Sequence, residues 1–193
     1  MILEDTRACV RDGRTPVILT RYKEQAKYLY ENLQEGADHV FLFYGDNSDK
    51  ENVAIRQCLK EVSKGESLIL VATGQKIGEG FDYPRLDTLM LAAPVSFEGR
   101  LEQYIGRLNR DYEGKKEVVV YDYIDSHIQI FDKMYAKRLR TYKRTGFELI
   151  TNRVLEKQSV NAIYDSGSYM DVFEQDIVEC EKQMIVSSPE ITR

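Results

Sequence analysis

The stretch Ser67-Leu68-Ile69-Leu70-Val71-Ala72 decides the fold class of this chain. It carries no charge, and a glycine-rich segment follows it directly. A continuous apolar run of this length is typical of a strand that is buried on both faces of a sheet. Further strand-like runs lie at 16–20, 39–44, 88–93 and 117–124, with a last short one at 147–150.

Between these runs the apolar residues change to the three-to-four spacing of helices. The spacing predicts helices at 21–34, 48–62, 97–111 and 128–145. The second of them opens with a capping-box sequence, Ser48 to Glu51, and we expect its apolar positions Val53, Ile55, Leu59 and Val62 to face the core. Buried strands that alternate with helices indicate a parallel sheet covered on both faces. We therefore predict a three-layer α/β domain over residues 1–150.

Composition excludes several classes of protein. The 193 residues are 42% hydrophobic and 31% charged, which is globular. No apolar run approaches the roughly 20 residues that cross a bilayer. The net charge of −5 gives no general support for nucleic-acid binding. Three widely spaced cysteines predict reduced thiols in the cytoplasm, with no disulfide and no metal site.

The pattern weakens over residues 151–193, where four basic side chains stand against eight acidic ones. Residues 165–168 read as a turn or linker, and 169–182 as an acidic amphipathic helix. Residues 184–186 resemble a strand for which the sequence offers no partner. We interpret 151–193 as a linker and helical extension, or as the start of a further domain of a longer protein.

The glycine-rich segment at 72–84 is the first candidate site. Its three glycines allow the backbone to approach a ligand, and ligands of open α/β sheets bind beyond the carboxyl ends of the strands. Thr73 and Lys76 can contact phosphate, and Asp82 can accept hydrogen bonds from ribose hydroxyls. A merely flexible loop is the alternative.

The helix at 97–111 carries the second candidate site. At about 100° per residue, Gln103, Arg107 and Arg110 share one face, with Gly106 beside them. The apolar anchors Leu101, Ile105 and Leu108 lie on nearly the opposite face. Two arginines held in this way form a clamp suited to phosphoryl oxygens. The alternative is a solvated face whose arginines pair with Glu98, Glu102 or Asp111.

Taken in order, three segments resemble motifs IV, V and VI of superfamily 2 helicases. They are the strand ending in Thr20-Arg21, the glycine-rich segment, and Gln103-x-x-Gly106-Arg107-x-x-Arg110. The resemblance covers residues 16–124 and implies one second, C-terminal RecA-like domain of an ATP-dependent DNA helicase or translocase.

The resemblance also implies roles. Catalytic residues would be the arginine fingers Arg107 and Arg110 with Gln103; the nucleotide would meet Glu79, Gly80, Asp82 and Gly106; and nucleic acid would meet Thr20, Arg21, Thr73, Gly74 and Lys76. ATP and Mg²⁺ would be held mainly by an N-terminal RecA-like domain, because this sequence has no Walker A or Walker B element. We expect the chain alone to be inactive.

A narrower resemblance involves 78–82, 86–89, 121–125 and 134–138. These segments look like bacterial helicase-like proteins of restriction or conflict systems, some of which carry a phospholipase-D-like nuclease domain. Residues 169–191 resemble the start of such a domain, although the nuclease His-x-Lys motif is absent from the sequence, and a linker helix is the alternative.

The helix at 128–145 has a basic stripe, formed by Lys133, Lys137, Arg140 and Arg144 with Arg138 and Lys143 nearby. Phosphate contact, a solvated face and contact with the acidic tail are all open readings.

Two other functions stay open for the whole chain. One is a non-catalytic RecA-like protein-docking module. The other is a different phosphate-binding enzyme, such as a glycosyltransferase or phosphatase, and it is disfavoured because no general base, nucleophile or dinucleotide fingerprint accompanies the glycine-rich segment.

Overall fold

The computed structural model describes residues 1–74, 77, 81–93, 98–124, 129–152 and 183–187. Its helices are α1 (Ile2–Arg11), α2 (Lys23–Asn32), α3 (Asp49–Glu61), α4 (Glu98–Leu108) and α5 (Gln129–Arg144). Its strands are β1 (Pro16–Thr20), β2 (His39–Phe43), β3 (Leu68–Thr73), β4 (Thr88–Leu91), β5 (Val119–Tyr123), β6 (Glu148–Asn152) and β7 (Gln183–Ser187). The elements expected between residues 16 and 150 are all present, with ends displaced by a few residues.

The strands form one seven-stranded sheet in the order β2-β3-β1-β4-β5-β7-β6. Strands β1 to β5 are mutually parallel, as predicted. Every residue of β1, β3 and β4 is buried, which explains why these strands read as uninterrupted apolar runs. The carboxyl ends of the parallel strands share one edge, where Thr20 lies in register with Thr73.

Helices cover both faces of the sheet. On one face, α1 and α2 pack through residues that include Ile2, Cys9, Ala26 and Leu29. On the other face, α3, α4 and α5 contribute Leu59, Leu101, Tyr104, Ile105, Leu108, Tyr135 and Tyr142. The three-layer α/β architecture is therefore confirmed. No helix in the described part of the chain combines the length and the apolar character needed to cross a bilayer.

Helix α1 was not predicted. Its inward positions are Ile2, Thr6 and Cys9, only one of which is a large apolar side chain. Polar contacts attach the helix to the sheet instead. The Thr6 hydroxyl lies 3.1 Å from the Met90 sulfur, and the Tyr123 hydroxyl donates to Asp5 across 2.9 Å.

The start of α3 is confirmed in detail, but one of its inward positions is corrected. Ser48 and Glu51 form the reciprocal capping box. Val53, expected to face the core, is 64% exposed, whereas the neighbouring Asn52 is buried. The Asn52 amide reaches the backbone oxygen of Asn47, so a polar residue closes the loop before the helix.

Strand β7 lies inside the sheet. It pairs antiparallel with β5 on one side and with β6 on the other, so the segment at 184–186 has two partners that the sequence did not reveal. Asn152 and Gln183 are paired across β6 and β7. The turn expected at 165–168 and the acidic helix expected at 169–182 lie outside the described residues.

Candidate functional site

Helix α4 presents the orientation that its sequence predicts. Leu101, Ile105 and Leu108 are buried against the sheet. Gln103 and Gly106 lie on the exposed side, and among the described residues, apart from the backbone of α4 itself, no atom lies within 4 Å of the position that a Cβ atom at Gly106 would occupy. The helix is thus anchored by one face and leaves open space on the other.

Arg107 and Arg110 both contact the last part of the glycine-rich segment. The Nη1 atom of Arg107 donates to the backbone oxygen of Phe81. The Nε atom of Arg110 lies 3.5 Å from Oδ1 of Asp82. The Arg110 and Asp82 side chains are 56% and 51% exposed, so this ion pair contributes little to stability and can be exchanged for another partner. We call Gln103, Gly106, Arg107 and Arg110 the arginine face.

The alternative pairings within the helix are only partly available. The Glu102 carboxylate is bonded to Arg144 of α5. Asp82, from the loop side, is the carboxylate that Arg110 meets. The arginine face is therefore directed at residues 81 and 82.

Tyr104 connects α4 to the start of the glycine-rich loop. Its hydroxyl donates to the backbone oxygen of Gly74 across 2.7 Å, and burial raises the pKa of this phenol, which keeps it a neutral donor. A Cβ atom at Gly74 would lie 2.7 Å from the same hydroxyl oxygen. Glycine is needed here for close approach, and Tyr104 was missed because a buried aromatic on a helix reads as core.

Two glycine substitutions should have opposite effects on stability. Gly74→Ala should lower the free energy of unfolding by about 1–3 kcal/mol, because Tyr104 must move away from its hydrogen-bond partner. Gly106→Ala should raise the free energy of unfolding by about 0.5–1 kcal/mol, because it adds a helix-favouring residue in open space. Urea denaturation measures both, and equal changes at the two positions would contradict the described packing.

The candidate nucleic-acid contacts gather at the carboxyl edge of the sheet but differ in exposure. Thr20 is 3% exposed and Thr73 is 6% exposed. The Thr20 hydroxyl is bonded to Oε1 of Gln25, and the Gln25 amide donates to the Ala92 backbone oxygen across 2.9 Å. Arg21 is exposed beside them. Among these described candidates, Arg21 is thus the side chain that is exposed to solvent.

Five residues of the glycine-rich segment, Gln75, Lys76, Gly78, Glu79 and Gly80, lie outside the described residues. The phosphate role of Lys76 and the nucleotide roles of Glu79 and Gly80 stay predictions.

The basic stripe on α5 needs one correction. Arg138, expected to add to it, is 3% exposed. It makes a two-point contact with the fully buried Asp122, at 2.7 Å from Nε and 2.9 Å from Nη2. The Tyr142 hydroxyl donates to the same carboxylate across 2.8 Å, and burial raises the pKa of Tyr142. Arg138 therefore docks α5 onto β5, whereas Lys133, Lys137 and Arg140 are exposed.

The sheet order and the helices on both faces define a RecA-like α/β fold, which is the fold of helicase C-terminal domains. UvsW of T4 shares this fold, with a TM-score of 0.58 and 19% identity over 74% of this chain and 31% of UvsW. No protein-family model matches the chain.

Two viral proteins are among the relatives in sequence. The chain is 42% identical to "Uncharacterized protein 108L" of Invertebrate iridescent virus 3 over 86 residues, which are 44% of this chain and 77% of 108L. The chain therefore belongs to the family of 108L. It is also 32% identical to "Putative helicase 161L" of Invertebrate iridescent virus 6 over 142 residues, 69% of this chain and 30% of 161L. The chain is thus related to helicases, and it spans less than a third of 161L.

Proposed function

We propose that this chain is the C-terminal motor domain of an ATP-dependent DNA helicase or translocase. Arg107 and Arg110 would act on the γ-phosphate of ATP bound by a second, N-terminal RecA-like domain with Walker A and B elements. The observation that carries the proposal is the arginine face, in which two exposed or half-exposed guanidinium groups meet at residues 81 and 82 beside the open space at Gly106.

The proposed chemistry follows from what the two arginines contact. On closure of the two domains, each guanidinium would exchange a weak partner for phosphoryl oxygens. Charge-assisted, two-point contacts to phosphate are stronger than a bond to a neutral carbonyl or a solvated ion pair. Arginine fingers are worth about 10³–10⁵ in turnover when added to a complete site. Asp82, released from Arg110, would accept a hydrogen bond from a ribose hydroxyl. Gln103 would add a polar contact near the nucleotide.

Nucleic acid would pass along the carboxyl edge of the sheet. Arg21 would supply a charged contact, and Gly74 would supply close approach of the backbone. Thr20 and Thr73 are buried as whole residues, so either would meet phosphate only if this edge rearranged when nucleic acid binds. Opening and closing of the domains would change the spacing between this edge and the partner domain, which would move the strand.

The described residues do not fit a Mg²⁺ site. This ion prefers several oxygen ligands with near-octahedral geometry, usually one or two carboxylates together with water and phosphate. Asp82 is the carboxylate that the described arginine face contacts, and it is engaged by Arg110. We therefore assign Mg²⁺ to the proposed N-terminal domain and derive no step through it here.

A comparison of two protein samples tests the proposal. The whole gene product should hydrolyse ATP faster with single-stranded DNA than without it, and the 193-residue chain alone should not hydrolyse ATP. The same assay with single-stranded RNA of equal length shows whether DNA or RNA stimulates hydrolysis. If the whole protein binds partners but never turns over ATP, the chain is a docking module and the proposal is wrong.

The resemblance to bacterial conflict-system helicases with a nuclease domain stays a prediction. It depends on residues 169–191, of which the structure describes only the backbone of β7. A plasmid-nicking assay with the whole protein would detect such an activity.

A further inference from the structure

Lys115 lies in the connection between α4 and β5, where its ammonium group reaches three backbone oxygens. Two of them belong to Leu108 and Arg110, at 2.7 and 2.9 Å from Nζ, and the third belongs to Pro84. An ammonium group has three hydrogens to donate, so all three are used. The Leu108 oxygen is one that the end of a helix leaves without an intrahelical partner, and Arg110 lies two residues beyond that end.

These three contacts join the same two segments as the arginine face. Arg107 meets Phe81 and Arg110 meets Asp82, while Lys115 meets Pro84 on one side and the end of α4 on the other. The arginine contacts use groups that a nucleotide would also use. The lysine contacts use only backbone oxygens and do not compete with a nucleotide.

A turn presents Lys115 to these oxygens. Its backbone nitrogen donates to the oxygen of Tyr112 across 3.0 Å, and Gly114 has a φ of 89°, which L side chains rarely adopt. The neighbouring Lys116 is exposed, so the turn directs one lysine inward and leaves the next in solvent.

We propose that Lys115 is the positioning residue of the arginine face. It holds the end of α4 against residues 81–84, so that Arg107 and Arg110 keep their place when they leave Phe81 and Asp82 for a nucleotide. This inference rests on the proposed function for its catalytic consequence, but the clamp itself is a property of the chain.

The protonation state of Lys115 gives a second line of support. Burial lowers the pKa of Lys115 to about 8, and the carboxylates of Asp87 and Asp111 oppose this shift. The neutral amine has two hydrogens and leaves one of the three oxygens without a donor. The hold of Lys115 on the end of α4, and with it on the arginine face, should therefore weaken as the pH rises through about 8.

The contribution of Lys115 to the free energy of unfolding should change in the opposite direction to its positioning effect. An unfolded lysine has a pKa of about 10.4, so between about pH 8 and 10.4 the unfolded chain binds more protons than the native one at this site. The contribution of Lys115 to the free energy of unfolding therefore increases with pH in that window. If ATP turnover falls above about pH 8 while the contribution of Lys115 to stability does not fall, Lys115 acts by positioning the arginine face and not only by stabilising the fold.

Hydrogen exchange tests the clamp in the chain itself. In Lys115→Met, the amides of residues 81–87 and 107–111 should exchange at least about 10-fold faster than in the wild type, because the carbonyl contacts of the ammonium are lost. Lys116→Met is the matched control and should leave this exchange unchanged. Equal exchange in the wild type and Lys115→Met would overturn the inference, whatever the activity of the protein.

Kinetics of the whole protein test the consequence. Lys115→Met should lower kcat for ATP hydrolysis at least about 10-fold with little change in KM, and it should abolish the decline of wild-type turnover above about pH 8. Lys115→Arg, which keeps the charge, should retain more kcat than Lys115→Met. Faster exchange with an unchanged kcat in an active protein would overturn the positioning role. A wild type that hydrolyses no ATP contradicts the proposed function instead, and the exchange measurement then decides alone whether Lys115 joins the two segments.

Discussion

Arg107→Ala or Arg110→Ala in the whole protein should reduce ATP turnover by about 10³–10⁵-fold. The reason is that each guanidinium is expected to neutralise charge that develops on the γ-phosphate, in a site closed to water. Neither substitution should change the free energy of unfolding by more than about 1 kcal/mol, because Arg110 is 56% exposed and the half-buried Arg107 donates to a neutral backbone oxygen. Steady-state hydrolysis with saturating DNA measures the first effect, and urea denaturation measures the second.

Two controls make this result specific. Arg11→Ala removes an exposed arginine from the end of α1, which packs on the other face of the sheet, and should leave turnover unchanged. Arg107→Lys and Arg110→Lys keep the charge but lose the two-point geometry, and should recover only part of the activity. Near-normal turnover in both alanine variants would remove the arginine-finger assignment.

Arg138→Ala should lower the free energy of unfolding by about 3–5 kcal/mol, the largest stability effect that we expect in this chain. Asp122 is fully buried, and without Arg138 its carboxylate would keep only the Tyr142 hydroxyl as a described side-chain partner. A charge left in this position is costly because little water can replace the lost guanidinium. Since a domain of this size is stable by only about 5–15 kcal/mol, we expect a clear fall in the urea midpoint.

The matched control is Arg140, which lies two residues after Arg138 on α5. Arg140→Ala removes an exposed arginine from the same helix and should change the free energy of unfolding by less than about 0.5 kcal/mol. The double replacement Asp122→Leu with Arg138→Met removes both charges and should cost less than Arg138→Ala alone. A loss below about 1 kcal/mol for Arg138→Ala would show that this carboxylate finds water or another donor.

The central sheet could be predicted because its signal is local. Each of β1, β3 and β4 is buried along its whole length. A strand buried on both faces has a continuous apolar sequence, which can be recognised without knowledge of its neighbours. The face that α4 turns to solvent could be predicted for the same reason, since helical spacing alone separates Leu101 and Ile105 from the arginine face.

The presence of α1 and the place of β7 in the sheet could not be predicted, because both depend on contacts between residues far apart in sequence. Helix α1 has few large apolar residues, and its attachment to Met90 and Tyr123 depends on strands far away in sequence. Strand β7 has an apolar core, but its place between β5 and β6 depends on antiparallel pairing that no local pattern encodes.

Individual side chains in the site were hidden by their residue type. Arg138 stands among exposed basic residues and reads as one of them until Asp122 is placed beneath it. Tyr104 reads as core, although its hydroxyl fixes Gly74. Lys115 is one of two adjacent lysines, and only the turn at Gly114 decides which of them faces the backbone oxygens.

A structure of the whole protein with DNA, ADP, Mg²⁺ and aluminium fluoride tests the central claim most directly, because the fluoride stands where the transferred phosphoryl group would be. We expect guanidinium nitrogens of Arg107 and Arg110 within about 2.7–3.2 Å of the fluoride or of phosphate oxygens, with their bonds to Phe81 and Asp82 released. Both arginines still on Phe81 and Asp82, with the nucleotide held by other groups, would contradict the account.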